Sequence, residues 1–410
     1  MGRFLTPWTK QWIFLKYRTL PALDASDVIL EAKVSLYKPT NASIEVPVNV
    51  HKVLGTWESE TLTWDNQPEH DPTIEDYAIV VGSGRYYWDI TDIARGWYSN
   101  ALGNTGMMFK AADAYEDGSN TNTWKQFASA DNGAASWLPS LVIKYRDSSG
   151  LESYWNYTSA SAGRAGIGYV NSYTGNLVWT RSDLGFGGNR MPVSISHIYN
   201  SCYRNVTAFG AGAGWKMNVQ QTLHKETLTD DNDGSTSTYY VHMDEDGTRH
   251  HFKYANSKWT DQSGKGMELT ISGSTATITD KGHNKWVFDL PTVEFNNNYA
   301  NVKMLKTLSD ACGNTMTVTA TGNVLENVED GIGRNTGFYN SSNRVNTIYS
   351  PGFGESGACG FEYDAAGRLT HVWEIAGQPG TENMYYTYDA NGLLLSATNC
   401  DGVEVHYEYY

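Results

Sequence analysis

The chain has 410 residues, a length that predicts two or three domains. Charged residues make up only 18% and aromatic residues 13%, with 14 Trp, 27 Tyr and 40 Gly, which argues against helical bundles and favours many short strands. The net charge of −15 includes no basic block that could neutralise phosphates, which argues against nucleic-acid binding, and no stretch reaches the ~20 apolar residues of a transmembrane segment.

The front of the chain, residues 1–146, reads as one compact β domain. Apolar and polar residues alternate over residues 32–36, which is the period of a half-buried strand. The one persuasive helix is brief and covers residues 91–97. The apolar run at residues 12–15 is shorter than the apolar region of a signal peptide, so we expect no export signal in this chain.

The composition changes near residue 147. Residues 147–150 and 158–163 are small and polar, as expected of a connection that runs over a surface. We therefore divide the chain into the front domain, a linker with a lead-in segment (147–200) and a repetitive region (201–410).

The repeats are the most informative part of the chain. Residues 363–369 and 388–394 are copies of one unit, and looser copies begin at Asp244, Asp310 and Asp330, each with a Gly three residues later. Asp accepts hydrogen bonds from a turn backbone and Gly supplies the positive φ that closes a hairpin. Each unit is therefore predicted to be a β-hairpin that must stack on its neighbours. Strand-like runs bounded by Gly, Asn or Asp lie at residues 269–271, 286–290, 316–320 and 403–409.

The sequence contains no catalytic motif of a serine hydrolase, zinc protease or P-loop nucleotide-binding protein. The glycine run at residues 210–214 precedes Trp215 in a strand-like context instead of opening a helix. We therefore predict a protein that is not an enzyme. The alternative is a polysaccharide-degrading enzyme, which depolymerisation by the purified chain would support.

Two groups of residues raise the question of a bound metal. His242 and His250 flank a predicted turn, and we expect them to be exposed cross-strand neighbours because a metal site needs three or four ligands. Asp230, Asp231 and Asp233 offer oxygen ligands suited to Ca²⁺, although their spacing does not match an EF-hand loop and favours a plain hairpin turn. No metal or cofactor is predicted, with calcium as the open alternative.

The four cysteines stand 41 to 110 residues apart without a C-x-x-C pair, which argues against a zinc or thioredoxin-type site. Thiols are the favoured state, and three disulfide connectivities stay formally open. The residues are Cys202, Cys312, Cys359 and Cys400.

Aromatic residues are the remaining candidates for a binding site. Carbohydrate sites place an aromatic platform beside a few hydrogen-bonding groups, because sugar rings present flat C–H faces. Trp124, Trp137 and Tyr115 lie in loop-like sequence rich in Asn, Ser and Gly, so we take them as candidate carbohydrate-binding residues.

The two close copies at residues 363–369 and 388–394 carry a Tyr-Asp step, and the chain after residue 150 resembles the YD-repeat (Rhs) family that is named for this step. Residues 168–201 look like the segment that precedes such repeats. The resemblance implies a β-hairpin array that wraps into a shell when many hairpins stack. Here we expect a partial shell, an arc that is open at its last strand.

The front domain resembles a second family, the DNRLRE domain, a β-sandwich with the character of a carbohydrate-binding module. The resemblance implies that four tryptophans of its pattern belong to the core, namely Trp57, Trp64, Trp88 and Trp97. The pattern is carried by residues 57–68, 88–97, 104–109 and 139–145. The family has a further strand or two before the segment equivalent to residues 12–16, so the chain is expected to be truncated at its N-terminus.

The two modules together are similar to the wall-associated polymorphic toxins of Gram-positive bacteria. The resemblance implies an all-β protein, a jelly-roll-like sandwich followed by the hairpin array, at a secreted or cell-surface location. Its expected partner is a polysaccharide or cell-wall glycan, and the repeats serve as a scaffold. The alternative is the delivery and encapsulation part of a contact-dependent toxin, because no D-P-x-G self-cleavage motif and no toxin domain follow the repeats. A missing C-terminal toxin and its immunity protein are then further expected partners.

Overall fold

The structure is a computed structural model of an all-β protein, which confirms the predicted fold class. The described residues divide into two compact units, one that ends at Arg146 and one that begins at Asp147. The structure describes residues 10–21, 23, 26–42, 44–99, 102–116, 123–185, 187–188, 190–229, 236–350, 358–374 and 382–409.

The first unit is a β-sandwich in which β1 and β6, β2 and β5, β3 and β4, and β3 and β6 pair antiparallel. The strand order is β1-β6-β3-β4 in one sheet and β5-β2-β7 in the other. The elements are β1 (Ile13–Leu15), β2 (Asp27–Lys38), β3 (Val46–Lys52), β4 (Asp76–Val80), β5 (Gly84–Asp89), α1 (Thr91–Tyr98), β6 (Met107–Ala111) and β7 (Ser140–Asp147).

The sandwich core lies between these two sheets. The indole of Trp88 is fully buried against Phe109 and donates a hydrogen bond to the carbonyl oxygen of Val48 across the sandwich, 2.7 Å away. Helix α1 lies where the sequence predicts a short helix, and Ile93 and Trp97 on it belong to the core. Burial of these large side chains, at roughly 25 cal/mol per Å² of apolar surface, is the main force that holds the two sheets together.

The second unit begins with a five-stranded antiparallel sheet of order β12-β11-β10-β9-β8. The glycine run at residues 210–214 leads into β12, as predicted. The strands are β8 (Tyr157–Ser161), β9 (Ile167–Asn171), β10 (Leu177–Gly185), β11 (Ser194–Asn200) and β12 (Trp215–Met217).

The hairpin array follows as one antiparallel sheet of strands β13 to β29. Strand β13 pairs both with β14 and, through Thr222 and Leu223, with β20, which closes the first eight strands into a ring. The strands are β13 (Thr222–Thr229), β14 (Thr236–Met243), β15 (Arg249–Ala255), β16 (Lys258–Asp261), β17 (Glu268–Ser272), β18 (Thr275–Thr279), β19 (Lys285–Asp289), β20 (Lys303–Ser309), β21 (Thr315–Thr321), β22 (Val324–Glu329), β23 (Asn335–Ser341), β24 (Arg344–Tyr349), β25 (Cys359–Tyr363), β26 (Leu369–Glu374), β27 (Glu382–Tyr388), β28 (Leu394–Thr398) and β29 (Glu404–His406).

The predicted turn chemistry is present at the hairpin ends. At the tip between β22 and β23, one carboxylate oxygen of Asp330 accepts hydrogen bonds from the backbone N–H groups of Ile332 and Arg334, at 3.0 and 2.9 Å. Gly333 takes φ of +84° in the same turn. The turns that begin at Asp310, Asp364 and Asp389 repeat this arrangement.

The five-stranded sheet covers the apolar face of the later hairpins. Trp179, Trp215 and Tyr199 of that sheet belong to the same buried cluster as Phe361 and Tyr386 of the array. The face that would line the predicted arc is therefore packed against residues from the lead-in segment. This packing gives each hairpin the partner that it needs to bury its apolar side.

Residues 147–150 differ from the surface connection that we expected. Ser148, Ser149 and Gly150 are buried, and the Ser149 hydroxyl donates a hydrogen bond to the carbonyl oxygen of Gly247, 2.9 Å away. A Cβ atom at Gly150 would lie 1.8 Å from the Thr248 hydroxyl, so only glycine fits there. Small polar residues at this point serve close packing against the β14–β15 turn.

Candidate functional site

A cleft of about 630 Å³ opens in the first unit, within the size range of small-molecule sites. It lies between the β1 segment, the loop after β3 and the extended segment at residues 124–127. Three indole rings line it together with hydroxyl and amide side chains. The lining includes Trp12, Trp64, Trp124, Thr63, Gln67 and Gln126.

Trp12 is the fixed element of the cleft. Its indole N–H donates to the carboxylate oxygens of Glu116 at 3.2 and 3.1 Å, and the ammonium of Lys110 lies 5.5 Å from the ring centre. Burial raises the pKa of Glu116, and the Trp12 hydrogen bond partly offsets this rise. The ring of Trp64 approaches Trp12 with centroids 4.9 Å apart and planes inclined at 50°. The two rings form an angled aromatic wall.

The loop around Trp64 is tied by a neighbouring side chain. The amide oxygen of Asn66 accepts hydrogen bonds from the backbone N–H and the hydroxyl of Thr63, at 2.6 and 3.0 Å. The amide nitrogen of Asn66 donates to the carbonyl oxygen of Thr61, 2.8 Å away. This local bonding shapes the turn and holds the Trp64 ring outward, where 49% of the residue is exposed.

Trp124 faces the cleft because of the residues on either side of it. Thr123 and Lys125 are buried, and they donate hydrogen bonds to the carbonyl oxygens of Tyr115 and Ile44, at 3.0 and 2.6 Å. Trp124 and Gln126 line the cleft together with Lys125 and Phe127.

The three carbohydrate-binding candidates predicted from the sequence do not come together. Trp124 lines the cleft, whereas Trp137 stacks on Tyr37 elsewhere on the sandwich, with centroids 4.9 Å apart and planes at 22°. Tyr115 packs against the edge of the sandwich core. Trp124 is thus the candidate whose position brings it near other aromatic rings.

The core assignment of the four pattern tryptophans is right for two of them. Trp88 and Trp97 are buried, and Trp57 is half-buried with its indole N–H bonded to the carbonyl oxygen of Thr105, 2.8 Å away. The assignment of Trp64 to the core is wrong, because the Asn66 bonding turns its ring toward solvent.

Trp12, which lies in the short apolar run, was not predicted as a site residue. Ile13 and Leu15 pack against the sandwich core, and Trp12 and Phe14 line the cleft, to which Ile13 also contributes. The period-2 alternation of a strand would have been the signal that separates the two faces of this run.

The expectation of exposed histidines is wrong. His242 and His250 are register partners whose ring centres lie 5.7 Å apart, but they are 3% and 2% exposed. Burial lowers the pKa of His242 to about 3. Burial also lowers the pKa of His250, but the hydrogen bond and charge of Asp244 raise it overall, with Nε2 3.0 Å from the carboxylate. Both rings face the core because they share a strand face with Tyr240 and Phe252.

Among the residues that the structure describes, no group of three or more His, Cys, Asp or Glu side chains could hold a metal ion. The calcium alternative at Asp230, Asp231 and Asp233 lies outside the described residues. All four cysteines are described, and they are thiols. No helix in the described ranges has the length and apolar character of a transmembrane segment.

Comparisons with known proteins agree with both predicted resemblances. Residues 6–145 match the family model of Carbohydrate-binding module family 96, and residues 168–252 match the model of Domain of unknown function DUF6531. Residues 6–145 thus match a carbohydrate-binding module of the DNRLRE type, and the match that follows is to a YD/Rhs-like region.

Three curated relatives are similar to longer parts of the chain. The tRNA nuclease WapA of Bacillus subtilis strain 168 and the tRNA3(Ser)-specific nuclease WapA of Bacillus spizizenii are each 26% identical over an alignment 306 residues long, which covers 63% of this chain and 12% of each relative. The tRNA(Glu)-specific nuclease WapA of Bacillus subtilis subsp. natto is 27% identical over 141 residues, 34% of this chain and 5% of the relative. The chain thus spans about one eighth of the length of the first two relatives.

Proposed function

We propose that this chain is a non-catalytic bacterial protein of the cell surface or the secreted fraction, and that its front domain binds a polysaccharide or cell-wall glycan. The match of residues 6–145 to a carbohydrate-binding module supports the ligand class. The observation that carries the proposal is the cleft in which Trp12, Trp64 and Trp124 stand beside hydroxyl and amide groups.

The chemistry of the cleft suits a sugar ring. The ring of Trp64, which is 49% exposed, and the ring of the half-buried Trp124 offer planes on which the C–H groups of a pyranose stack, because the faces of aromatic rings carry partial negative charge. Thr63, Gln67 and Gln126 offer donors and acceptors for sugar hydroxyls around this platform. The Trp12 and Trp64 rings are inclined to each other at 50°. They therefore suit a glycan chain that bends better than the flat surface of a crystalline polysaccharide.

The experiment that tests this function is glycan binding by the full chain, on a glycan array and in pulldowns with purified cell walls and soluble polysaccharides. We expect retention on at least one polysaccharide class, with competition by soluble oligosaccharides of that class. Failure to bind any polysaccharide would contradict the proposal. The same samples, assayed for release of reducing ends, test the absence of catalysis, and depolymerisation by the purified chain would oppose it.

A second candidate function is the delivery and encapsulation part of a contact-dependent toxin. The observation that favours it is the similarity to three proteins whose names describe tRNA nucleases and which are much longer than this chain. In that case a toxin domain and an immunity protein are partners encoded with further YD repeats. Sequencing the genomic locus separates the two candidates, because a long YD array, a small terminal domain and an adjacent small gene support the second.

A further inference from the structure

We propose a second binding surface, on the outer face of the hairpin array, for a glycan that carries ammonium groups. This outer aromatic patch lies in the second unit and does not rest on the function proposed for the front cleft. It consists of Tyr339, Glu362, His371, Trp373, Asn383 and Tyr385, which occupy two adjacent rows across strands β23 to β27.

The register places these side chains on one face. Glu362, His371 and Tyr385 are successive cross-strand partners, and Trp373 pairs with Asn383 in the neighbouring row. The residues between them, Phe361 and Val372, are fully buried in the core. The patch residues must therefore point away from the core, because successive residues of a strand face opposite sides.

Trp373 lies flat on the sheet. Its register partner is Gly360, and a Cβ atom at Gly360 would sit 2.1 Å from Cζ2 of the indole. The missing side chain makes the space that the ring occupies. A large aromatic ring that lies over a glycine on an outer sheet face offers its other side as a platform.

The neighbouring rings are held in place by hydrogen bonds. The His371 ring stacks on Tyr385 with centroids 4.7 Å apart and planes at 6°. One ring nitrogen of His371 lies 3.1 Å from a carboxylate oxygen of Glu362, and the other lies 2.8 Å from the amide oxygen of Asn383. Tyr385 and Tyr339 nevertheless stay 49% and 57% exposed. Preorganised aromatic groups that stay exposed are typical of a binding surface.

Charge complementarity identifies the class of glycan. Residues 335–409 contain nine acidic residues, two arginines and no lysine. Glu374, Glu382 and Asp364 pair with arginines, so the acidic charge next to the patch is that of Glu362 and Glu404. The side chain of Glu362 is 63% exposed beside the stacked rings, and Glu404 continues the same row through Thr398. Carboxylates next to aromatic faces attract ammonium groups through ionic and cation–π interactions. A polymer of unacetylated amino sugars combines that charge with the C–H faces that stack on Trp373.

The test uses the full chain and two defined probes, the hexamer of glucosamine and the hexamer of N-acetylglucosamine, in titration calorimetry at low and moderate salt. We expect the glucosamine hexamer to bind at least about tenfold more tightly than the acetylated one, with affinity that falls as salt rises. Glu362→Gln and Trp373→Ala should each weaken binding by about fivefold or more. Glu362→Gln is isosteric and exposed, so it reports on binding without a folding defect.

Matched controls are available on the same array and in the front domain. Glu329→Gln and Tyr254→Ala remove an exposed carboxylate and an exposed ring elsewhere on the array and should bind as the parent chain does. Trp137→Ala, which removes an indole of the first unit that lies outside the cleft, should also leave this binding unchanged. Absence of binding, equal affinity for the acetylated hexamer, or parent-like binding by both Glu362→Gln and Trp373→Ala would overturn the proposal.

Discussion

The hydroxyl of Tyr388 donates a hydrogen bond to the carbonyl oxygen of Leu369, 2.5 Å away, and so joins one hairpin to the preceding one. The guanidinium of Arg368 lies over the same tyrosine ring, 5.3 Å from its centre. Tyr363 repeats the arrangement with the carbonyl oxygen of Val345 at 2.8 Å. The tyrosine of the Tyr-Asp step thus binds the preceding hairpin, while the aspartate closes its own turn. The repeat is a unit of stacking as well as a turn signal.

Removing the tyrosine hydroxyls should weaken this stacking to different extents. Tyr388 also accepts a hydrogen bond from the indole of Trp215, 2.7 Å away, so Tyr388→Phe leaves two buried groups without a partner. We expect a loss of about 2–3 kcal/mol in the free energy of unfolding for Tyr388→Phe and about 1 kcal/mol for Tyr363→Phe. Urea titrations of both variants check this order, and a larger effect for Tyr363→Phe would contradict it.

The turn glycines should contribute to stability only because they adopt a positive φ that other residues adopt at a cost. Gly333 has φ of +84°, and a Cβ atom added there would meet nothing within 4 Å, so Gly333→Ala strains the backbone without a steric clash. We expect a loss of about 1–2 kcal/mol in stability. Gly337→Ala is the control, because this strand glycine lacks a positive φ and has room for a methyl group. Equal thermal midpoints for the two variants would count against this explanation.

The hairpin array was largely predictable because its signals are local. The aspartate and glycine of each turn act within five residues, so spacing alone reveals them. The Tyr388 contact was not predictable in this way, since Leu369 and Trp215 are 19 and 173 residues away. The closure of the ring between β13 and β20 depends on a similarly distant pairing.

A buried charge network should carry a large share of the stability of the second unit. The Arg181 side chain is 1% exposed and pairs with the fully buried Asp183 carboxylate and with Glu374. Arg181→Met leaves the buried Asp183 carboxylate without its guanidinium partner, whereas Glu374 keeps Arg164, and we expect a loss of about 3–5 kcal/mol. Arg164→Met is the control, because Arg164 is 54% exposed and its ion pairs with Glu374 and Glu382 are each worth less than about 1 kcal/mol. Chemical denaturation of both variants measures the difference, and similar losses would refute the assignment.

The β14–β15 turn should make stability depend on pH. Burial and the neighbouring Asp244 carboxylate raise the pKa of Asp246 to about 7, whereas an unfolded Asp titrates near 3.9. Between about pH 4 and 7 the folded state therefore holds a proton on Asp246 that the unfolded state has released. The contribution of this proton to the free energy of unfolding is full at low pH and is lost as pH rises through about 7.

Asp246→Asn mimics the protonated carboxyl and should remove that part of the slope. The measurement is the free energy of unfolding of both proteins from pH 4 to pH 8. We expect the stability of the parent chain relative to the variant to fall across this range. A difference that is constant or that rises with pH would contradict the shifted pKa.

The candidate site was only partly predictable for reasons that particular residues make clear. Loop-like composition around Trp124 and Trp137 predicts both as carbohydrate-binding residues. Trp137, however, stacks on Tyr37 outside the cleft. Trp64 and Trp88 look alike in sequence. The hydrogen bonds of Asn66 nevertheless hold Trp64 outward, whereas the indole of Trp88 bonds to Val48 inside the core. Composition identifies loops, whereas the convergence of three segments on one cleft depends on tertiary packing.

The most direct test of the central claim compares glycan affinity among tryptophan variants of the full chain. On the polysaccharide that the array identifies, Trp64→Ala and Trp124→Ala should each weaken binding by at least about tenfold, since exposed aromatic platforms dominate such contacts. Trp137→Ala removes an indole outside the cleft and should bind like the parent chain. Parent-like affinity of both cleft variants, or a loss confined to Trp137→Ala, would contradict the assignment of the cleft as the glycan site.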